Sequence, residues 1–318
     1  MKNKTIVIVL GEPKSTFIEI LLKVFNKKFL KKTSHKIIIV GSRKIFDNEI
    51  KKLNKFLTIK TFSQKFYDLK KNKILFLDIP YNKNKDKGNR DYLNRCFEKG
   101  LYLMKKFKFR AFINGPISKS NFLKGKYPGI TEFIAKKMKS KNEVMLIFNQ
   151  KLSVSPLSTH IPIKDVTNKV KKKFIIKKIL EINKFYKTFL KISPRIAITG
   201  LNPHCESFKG INKEKKEIIP AIKYLSKKKV RIFGPFSADT IFMKTNKKKY
   251  DVIFGMYHDQ VLSPMKTLYG FDAINITLGL PFIRITPDHG PNFQMYGKNK
   301  SNPKSLIEAF KFINRYVK

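Results

Sequence analysis

The chain alternates short runs of β-branched and other apolar residues with longer segments of helical periodicity, and this alternation limits its fold most strongly. The apolar runs predict the following strands: Thr5–Leu10, Lys36–Val40, Ile74–Leu77, Ala111–Asn114, Val144–Phe148, Arg195–Thr199, Val230–Phe233, Val252–Gly255 and Ala273–Thr277. The intervening segments predict the following helices: Phe17–Phe29, Arg90–Lys106, Thr131–Met138, Asp165–Phe189, Lys213–Leu225 and Pro303–Tyr316. Uniformly apolar strands that alternate with helices are typical of a largely parallel α/β sheet.

Length and cysteine content narrow the class of protein further. With 318 residues, of which 42% are hydrophobic, the chain can build one large domain or two smaller ones. No apolar stretch approaches the roughly 20 residues that span a bilayer, and the apolar start leads into Gly11-Glu-Pro13 instead of a signal cleavage site. The two cysteines, Cys96 and Cys205, argue against a disulfide framework. We therefore expect a cytoplasmic protein with no membrane partner.

The formal net charge of +47 comes almost entirely from lysine. Such an excess can attract nucleic acid or an anionic membrane, or it can be spread over solvated faces. Lysine runs, such as those at 171–173 and 247–249, are scattered along the chain, and arginine, which phosphate and base recognition favours, is scarce. We therefore expect solvated lysines that attract small anionic substrates, and no specific nucleic-acid partner.

Three of the five histidines stand in short polar loops that follow apolar runs: His160, His204 and His258. Ligands bind at the carboxyl ends of strands in open α/β sheets. Three neutral imidazoles can hold a divalent cation and leave a position for substrate. Each histidine could instead be a hydrogen-bonded structural residue, because the spacing matches no local metal signature. Three in equivalent positions favour a metal-dependent enzyme.

Three residues downstream of these histidines could bind an anion, at predicted strand or loop positions: Lys266, Asn275 and Arg284. Lysine and arginine suit a phosphate or a carboxylate. Lys266 could equally be one of many solvated lysines, whereas Arg284 stands in an apolar setting, where a scarce arginine needs a reason. Thr131 opens a predicted helix, where it either caps the helix or helps to bind an anion.

Three further polar residues admit two interpretations each. Asp239 is either a functional carboxylate or the cap of a nearby helix. Asp259 could orient the neighbouring His258 through a hydrogen bond. His289, in Asp288-His-Gly290, is either a turn histidine or part of a cofactor loop. The chain contains neither Gly-x-Gly-x-x-Gly nor Gly-x-x-x-x-Gly-Lys-Ser/Thr, so neither a Rossmann nor a P-loop nucleotide site is supported.

Several motifs, in order along nearly the whole chain, resemble the 4-hydroxythreonine-4-phosphate dehydrogenase family of pyridoxal phosphate biosynthesis. They are Gly11-Glu-Pro13, Asn114-Gly-Pro-Ile-Ser-Lys119, Pro128-Gly-Ile-Thr-Glu-Phe133, Ser158-Thr-His-Ile-Pro162, Asn202-Pro-His-Cys-Glu206, Gly234-Pro-Phe-Ser-Ala-Asp-Thr240, Met256-Tyr-His-Asp-Gln260, Asn275-Ile-Thr-Leu-Gly-Leu-Pro-Phe-Ile-Arg284 and Asp288-His-Gly290. The resemblance implies an isocitrate/isopropylmalate-dehydrogenase-like fold. It implies a discontinuous cofactor-side domain at 1–115 and 275–318, and a substrate, metal and dimerisation domain at 116–274.

The resemblance also implies an activity and a set of site residues. The activity is the oxidation and decarboxylation of 4-phosphohydroxy-L-threonine to 3-amino-2-oxopropyl phosphate by a homodimer with a shared active site. NAD or NADP and one divalent cation (Zn, Mg, Co or Mn) would serve as cofactors. The roles implied are metal binding by His160, His204 and His258 from both subunits; substrate binding by Thr131, Lys266, Asn275 and Arg284; catalysis by Lys266 and Asp239; and cofactor binding by His289, Gly290 and Asn292.

The sequence departs from the family pattern at three places. Ile130 replaces a histidine that contacts substrate in the family, which leaves open a different four-carbon hydroxy-acid phosphate as substrate. The first loop, at residues 11–19, lacks two glycines of the family pattern. The segment at 291–299 differs from the loop that lines the cofactor in related enzymes.

Overall fold

The computed structural model describes residues 4–63, 74–86, 89–123, 125–127, 129–206, 212–270, 272–287 and 290–317. Its strands are β1 Thr5–Val9, β2 Lys36–Gly41, β3 Ile59–Thr61, β4 Ile74–Asp78, β5 Ala111–Asn114, β6 Val144–Phe148, β7 Ser153–Pro156, β8 Ile196–Thr199, β9 Ile232–Phe236, β10 Val252–Gly255, β11 Ile274–Leu278 and β12 Ile283–Pro287. Its α-helices are α1 Phe17–Val24, α2 Lys27–Lys32, α3 Arg43–Lys52, α4 Arg90–Phe107, α5 Ile130–Lys137, α6 Val166–Lys169, α7 Lys172–Phe185, α8 Ile219–Lys227, α9 Lys244–Lys247, α10 His258–Tyr269 and α11 Lys304–Tyr316.

Every predicted strand is present, and three strands were not predicted from the sequence: β3, β7 and β12. β7 alternates Ser153 and Ser155 with apolar residues, yet all four of its residues are buried. Its polar side chains are satisfied inside the sheet, as when Ser155 Oγ donates to Met145 O at 2.7 Å. β12 contains the buried Arg284, so it too lacks a continuous apolar run. Both strands therefore contain buried polar side chains that make hydrogen bonds, and neither shows the continuous apolar run that predicts a strand.

The predicted helices are present, with breaks in two of them, and α3, α9 and α10 were missed. Phe17–Phe29 divides into α1 and α2, and Asp165–Phe189 divides into α6 and α7. The position predicted for Lys266, on a strand or loop, is wrong, because Lys266 lies in the last turn of α10. Pro264 inside α10 removes a backbone hydrogen-bond donor. Because proline usually ends or kinks a helix, α10 was not predicted from the sequence. Among the described residues, no helix has the length and apolar character that a membrane crossing requires.

The chain forms two compact units, the first made of Met1–Ile134 and Pro281–Lys318 and the second of Ala135–Leu280. The unit boundaries fall later in the sequence than the predicted domain boundaries, and the roles assigned to the two domains stay a prediction. In the first unit the strand order is β3-β4-β2-β1-β5-β12, and every neighbouring pair is parallel. β1 lies inside this sheet and is buried along its whole length, as expected for a strand covered on both faces.

In the second unit the strand order is β11-β6-β7-β10-β8-β9. β6 is antiparallel to both of its neighbours, while β7, β10, β8 and β9 run parallel. The buried core of this unit includes Val154 of β7, Ile253 of β10 and Met265 of α10, so α10 and the sheet contribute to one core. Because α10 contributes to that core, its position relative to the sheet is fixed by packing. The carboxyl ends of β7, β10 and β8 lie side by side at one edge of the sheet.

Candidate active site

The three candidate histidines follow three adjacent parallel strands. His160 follows β7, His258 follows β10 and His204 follows β8, and β10 pairs with both of the other two strands. Parallel strands end at the same edge of a sheet, so the loops of His160 and His204 and the first residue of α10, His258, lie at one edge, where open α/β sheets bind ligands. The sequence-based placement of these histidines at strand ends is therefore confirmed for all three.

His160 and His258 form a close pair. Their ring centroids are 5.7 Å apart with an interplanar angle of 41°. Two imidazoles that share a cation at metal–nitrogen distances of about 2.0–2.1 Å have centroids roughly 5–6 Å apart, so this pair fits joint ligation. His258 Nδ1 lies 2.8 Å from Asp259 Oδ1, and a carboxylate can only accept there. Nδ1 therefore carries the proton, and Nε2 of the neutral ring keeps a lone pair for a metal.

His204 stands apart from this pair in conformation. It is exposed, and its backbone φ of 52° is left-handed, as is the φ of 60° at Cys205. Among the described residues of the single chain, no group of three histidine, cysteine or acidic side chains is assembled as a metal site. The structure thus brings His160 and His258 together and does not add His204 to them within one chain.

Asp239 lies on an exposed turn after β9, close enough to His204 for an electrostatic interaction. The Ser237 hydroxyl lowers the pKa of Asp239 most, and His204 contributes a smaller effect in the same direction. The carboxyl group is therefore ionised at neutral pH. The α-helix that follows, α9, begins at Lys244, five positions further along the chain, which places Asp239 outside the capping position of that helix.

Buried hydrogen bonds join the histidine loops, and the sequence interpretation missed the residue that makes most of them. Gln260 Oε1 accepts from Thr199 Oγ1 at 2.8 Å and from Met256 N at 2.7 Å, while Gln260 Nε2 donates to Gly200 O at 2.9 Å. Ser158 Oγ donates to Met256 O at 2.9 Å. The end of β10 is thereby tied to the loops that carry His204 and His160. In the sequence, Gln260 stands two positions after the candidate ligand His258. Only the structure shows that this glutamine is buried and not on the surface.

In the first unit, Arg284 lies on β12 and is only 1% exposed. Its Nε donates to Asn114 Oδ1 at 2.8 Å, and its Nη1 donates to Thr131 Oγ1 at 2.9 Å. Burial lowers the pKa of Arg284 to about 9, and the nearby Glu132 opposes this shift, so the guanidinium stays charged at neutral pH. Asn114 lies at the end of β5. The arrangement fixes a buried cation at the start of α5.

The remaining predicted substrate residues lie in the second unit. Asn275, on β11, is partly exposed, and its Oδ1 is buried without a hydrogen-bond donor among the described residues. Such an oxygen is costly to bury unless a ligand or water serves it. Lys266 is exposed on α10, directly after the buried Met265. The core contact at Met265 therefore fixes the backbone from which the Lys266 side chain extends.

The predicted cofactor residues can be placed in part. His289 lies outside the described residues, whereas Gly290 and Asn292 are both exposed. The segment after them is held against the first unit: Thr16 N donates to Pro291 O at 3.2 Å, and Tyr296 Oη donates to Glu49 Oε1 at 2.9 Å. These contacts order the segment whose sequence departs from the family pattern.

The fold belongs to a known class. A crystal structure of isocitrate dehydrogenase from Methylococcus capsulatus aligns with a TM-score of 0.52 at 10% identity, covering 97% of this chain and 84% of that chain. A crystal structure of 4-hydroxythreonine-4-phosphate dehydrogenase from Klebsiella pneumoniae aligns with a TM-score of 0.79 at 26% identity, covering 98% of each chain. The prediction of a largely parallel, isocitrate-dehydrogenase-like α/β fold is therefore confirmed.

Within that class, the chain belongs to the family described as pyridoxal phosphate biosynthetic protein PdxA, whose model matches residues 32–313. It is 38% identical over 321 residues to a 4-hydroxythreonine-4-phosphate dehydrogenase of Sulfurihydrogenibium sp. (strain YO3AOP1), with 95% of each protein covered. It is 32% identical over 219 residues to a D-threonate 4-phosphate dehydrogenase of Pectobacterium atrosepticum, with 68% of this chain and 67% of that protein covered. The predicted family is confirmed.

Proposed function

We propose that this protein catalyses the NAD-dependent oxidation and decarboxylation of 4-phosphohydroxy-L-threonine to 3-amino-2-oxopropyl phosphate in pyridoxal phosphate biosynthesis. The observation that carries the proposal is the full-length match to a relative named for this dehydrogenation. In the reaction, the carbon of the secondary alcohol would give up a hydride, for which bound NAD would be the acceptor, and the hydroxyl group would lose its proton. The resulting 3-keto acid would release carbon dioxide. The electron pair of the broken bond would pass to the adjacent carbonyl, and a proton would then add to the carbon that carried the carboxylate.

One divalent cation would be held by His160, His204 and His258, drawn from both subunits of a homodimer. The support is the His160–His258 pair, whose separation suits joint ligation, and Asp259, whose contact with Nδ1 of His258 leaves a lone pair on Nε2. Imidazole donors favour zinc or cobalt over magnesium. When bound, such a cation would withdraw electron density from the substrate's alcohol oxygen and so ease both hydride loss and decarboxylation.

The chain's own side chains would bind and orient the substrate. Lys266, an exposed ammonium group on a packed helix, would attract the phosphate or the carboxylate, and Asn275 Oδ1 would accept a hydrogen bond from the substrate. Thr131 and Arg284 would contact a second anionic group. Since Arg284 is buried, that contact requires the side chains that cover it to move. The ionised Asp239 would accept the hydroxyl proton.

The cofactor assignment is NAD or NADP, with Gly290, Asn292 and His289 as contacts. The exposure of Gly290 and Asn292 leaves both accessible to a dinucleotide. The cytoplasmic location expected from the two cysteines stays a prediction.

The test is an assay of NADH formation from 4-phosphohydroxy-L-threonine, with added Zn²⁺ or Co²⁺ and with a chelator. We expect activity that the chelator abolishes and the metal restores, and the same assay with NADP decides the cofactor. Lys266→Met should raise KM for the substrate, whereas Lys223→Met, which removes an exposed helix lysine of the same unit, should leave it unchanged. Absence of activity with every metal and both cofactors would refute the proposed reaction.

A second candidate substrate, D-threonate 4-phosphate, is suggested by the residue at position 130 and by the name of one relative. Ile130 stands at the start of α5, where the family pattern has histidine, and D-threonate 4-phosphate is the substrate named for a relative. D-threonate 4-phosphate carries a hydroxyl where 4-phosphohydroxy-L-threonine carries an amino group. Comparing kcat/KM for the two compounds decides between them. If D-threonate 4-phosphate is the true substrate, Ile130→His should lower activity towards it.

A further inference from the structure

The loop that carries His204 is fastened to the second unit by a buried carboxylate. Glu214, in the helical turn at Glu214–Ile218, is 1% exposed. Its Oε1 accepts from the backbone N–H groups of Leu201 and Asn202, each at 2.9 Å, and its Oε2 accepts from Asn202 Nδ2 at 3.1 Å. One carboxylate therefore accepts from three donors, and these donors belong to the two residues that directly precede Pro203 and His204.

The backbone that follows these contacts needs such an anchor. His204 and Cys205 are successive non-glycine residues with left-handed φ values of 52° and 60°. Side chains with a Cβ atom adopt this conformation only where the surrounding structure imposes it. The segment is further closed by Cys205 N, which donates to Asn202 O at 3.2 Å. Asn202 therefore donates hydrogen bonds to Glu214 and, through its carbonyl oxygen, accepts one from Cys205, the second of the two left-handed residues.

We infer that Glu214 is a positioning residue for His204: it fixes residues 201 and 202 so that the left-handed turn presents the imidazole for metal binding. This inference rests on the proposed function, in which His204 is a ligand. Hydrogen-bonded partners that orient a metal ligand typically contribute 10- to 100-fold to metal affinity. Glu214 acts through the backbone of the ligand's loop instead of through the ring.

The experiment titrates the metal-free full chain with Co²⁺ and records the cobalt absorption band and the apparent affinity. Glu214→Ala is expected to weaken Co²⁺ binding about tenfold or more and to change the band in the direction that His204→Ala does. Glu214→Gln keeps an acceptor for the two backbone N–H groups and is expected to bind within about threefold of the original protein. The melting temperature of each metal-free protein is measured in parallel.

Glu217→Ala is the matched control. Glu217 lies in the same helical turn, and its carboxylate accepts from Lys172 N at 2.6 Å, away from the His204 loop. It should lower stability without changing the cobalt band. If Glu214→Ala does not fold, Asn202→Ala, which removes one of the three hydrogen bonds, takes its place and should weaken binding about threefold.

The outcomes are distinguishable. If His204→Ala weakens Co²⁺ binding but neither Glu214→Ala nor Asn202→Ala does, the positioning role is overturned and the metal site stands. If His204→Ala itself leaves affinity and band unchanged, the proposed metal site fails, and the role of Glu214 fails with it. A lower melting temperature with an unchanged band in Glu214→Ala would reduce Glu214 to a structural residue.

Discussion

Arg284 Nη1 donates a 2.9 Å hydrogen bond to Thr131 Oγ1, which joins strand β12 to the first turn of α5 across 153 positions of sequence. The guanidinium is charged and 1% exposed, so its hydrogen bonds replace the water that burial removed. A residue expected to bind substrate therefore also stabilises the first unit, and the two roles can be measured separately.

Thr131→Val removes that acceptor while keeping the side chain's shape. We expect it to lower the free energy of unfolding by about 1–3 kcal/mol, because a buried donor on a charged group loses its partner. Urea-induced unfolding measures this change. Thr267→Val, at an exposed position on α10, is the control and should change stability by less than about 0.5 kcal/mol. Equal values for the two variants would contradict a stabilising role of the Arg284–Thr131 contact.

His160→Ala and His258→Ala should each lower kcat by about 100-fold or more, because losing a ligand exceeds the effect of losing its hydrogen-bonded partner. His35→Ala serves as the control, since His35 lies in the first unit, where its Nδ1 and Nε2 contact Asn314 and Val317. The control should affect stability more than kcat. Steady-state assays at saturating metal give the comparison, and full activity in either variant would exclude that histidine as a ligand.

Asp259→Asn should weaken Zn²⁺ binding by about 10- to 100-fold, because an amide no longer fixes the proton on His258 Nδ1 as a carboxylate does. Calorimetric titration with Zn²⁺ measures the affinity. Asp272→Asn, at a partly buried loop position before β11, provides a carboxylate-to-amide control in the same unit. An unchanged affinity in Asp259→Asn would show that the 2.8 Å contact does not orient the ring.

Acidification should destabilise the first unit through His35. Burial lowers the pKa of this histidine below its ordinary 6.5, outweighing hydrogen bonds to Val317 O and Asn314, and Lys4 adds to the lowering. The unfolded chain therefore takes up a proton at higher pH than the folded chain. The stability contributed by neutral His35 is complete above pH 6.5 and is lost as the pH falls from there towards the lower folded pKa.

Unfolding free energies measured between pH 7.5 and 5 check this sign. His35→Gln removes the titrating group, so its stability should fall less over that interval than the stability of the original protein. A steeper fall in the variant would contradict the direction of the shift.

The sequence allowed the fold to be predicted wherever burial is purely apolar, as in β1, where all five residues are hydrophobic or threonine. It failed where buried polar groups are satisfied by hydrogen bonds. β7 was missed because of Ser155 and β12 because of Arg284: both side chains are polar, and polar residues in a sequence are usually taken to be exposed. Pro264 concealed α10, which packing of Met265 and Val261 into the core stabilises despite the missing backbone donor.

The site shows the same division. The positions of His204 and His258 at strand ends could be predicted, since apolar runs mark where β8 and β10 end, whereas His160 follows β7, a strand that was not predicted. The contacts that support these histidines could not be predicted, because Gln260 and Glu214 act through partners far away or across a loop. Nothing in a short sequence window distinguishes such a glutamine or glutamate from a solvated one.

The proposed metal site requires that histidines from adjacent parallel strands bind one cation. Crystals of the full chain grown with Co²⁺ test this through anomalous scattering recorded at the cobalt absorption edge. We predict one strong peak per site, about 2.0–2.2 Å from imidazole nitrogens of both His160 and His258, with His204 of a subunit completing the set. A peak bound elsewhere, or rings of His160 and His258 that both remain without cobalt, would contradict the proposed metal site.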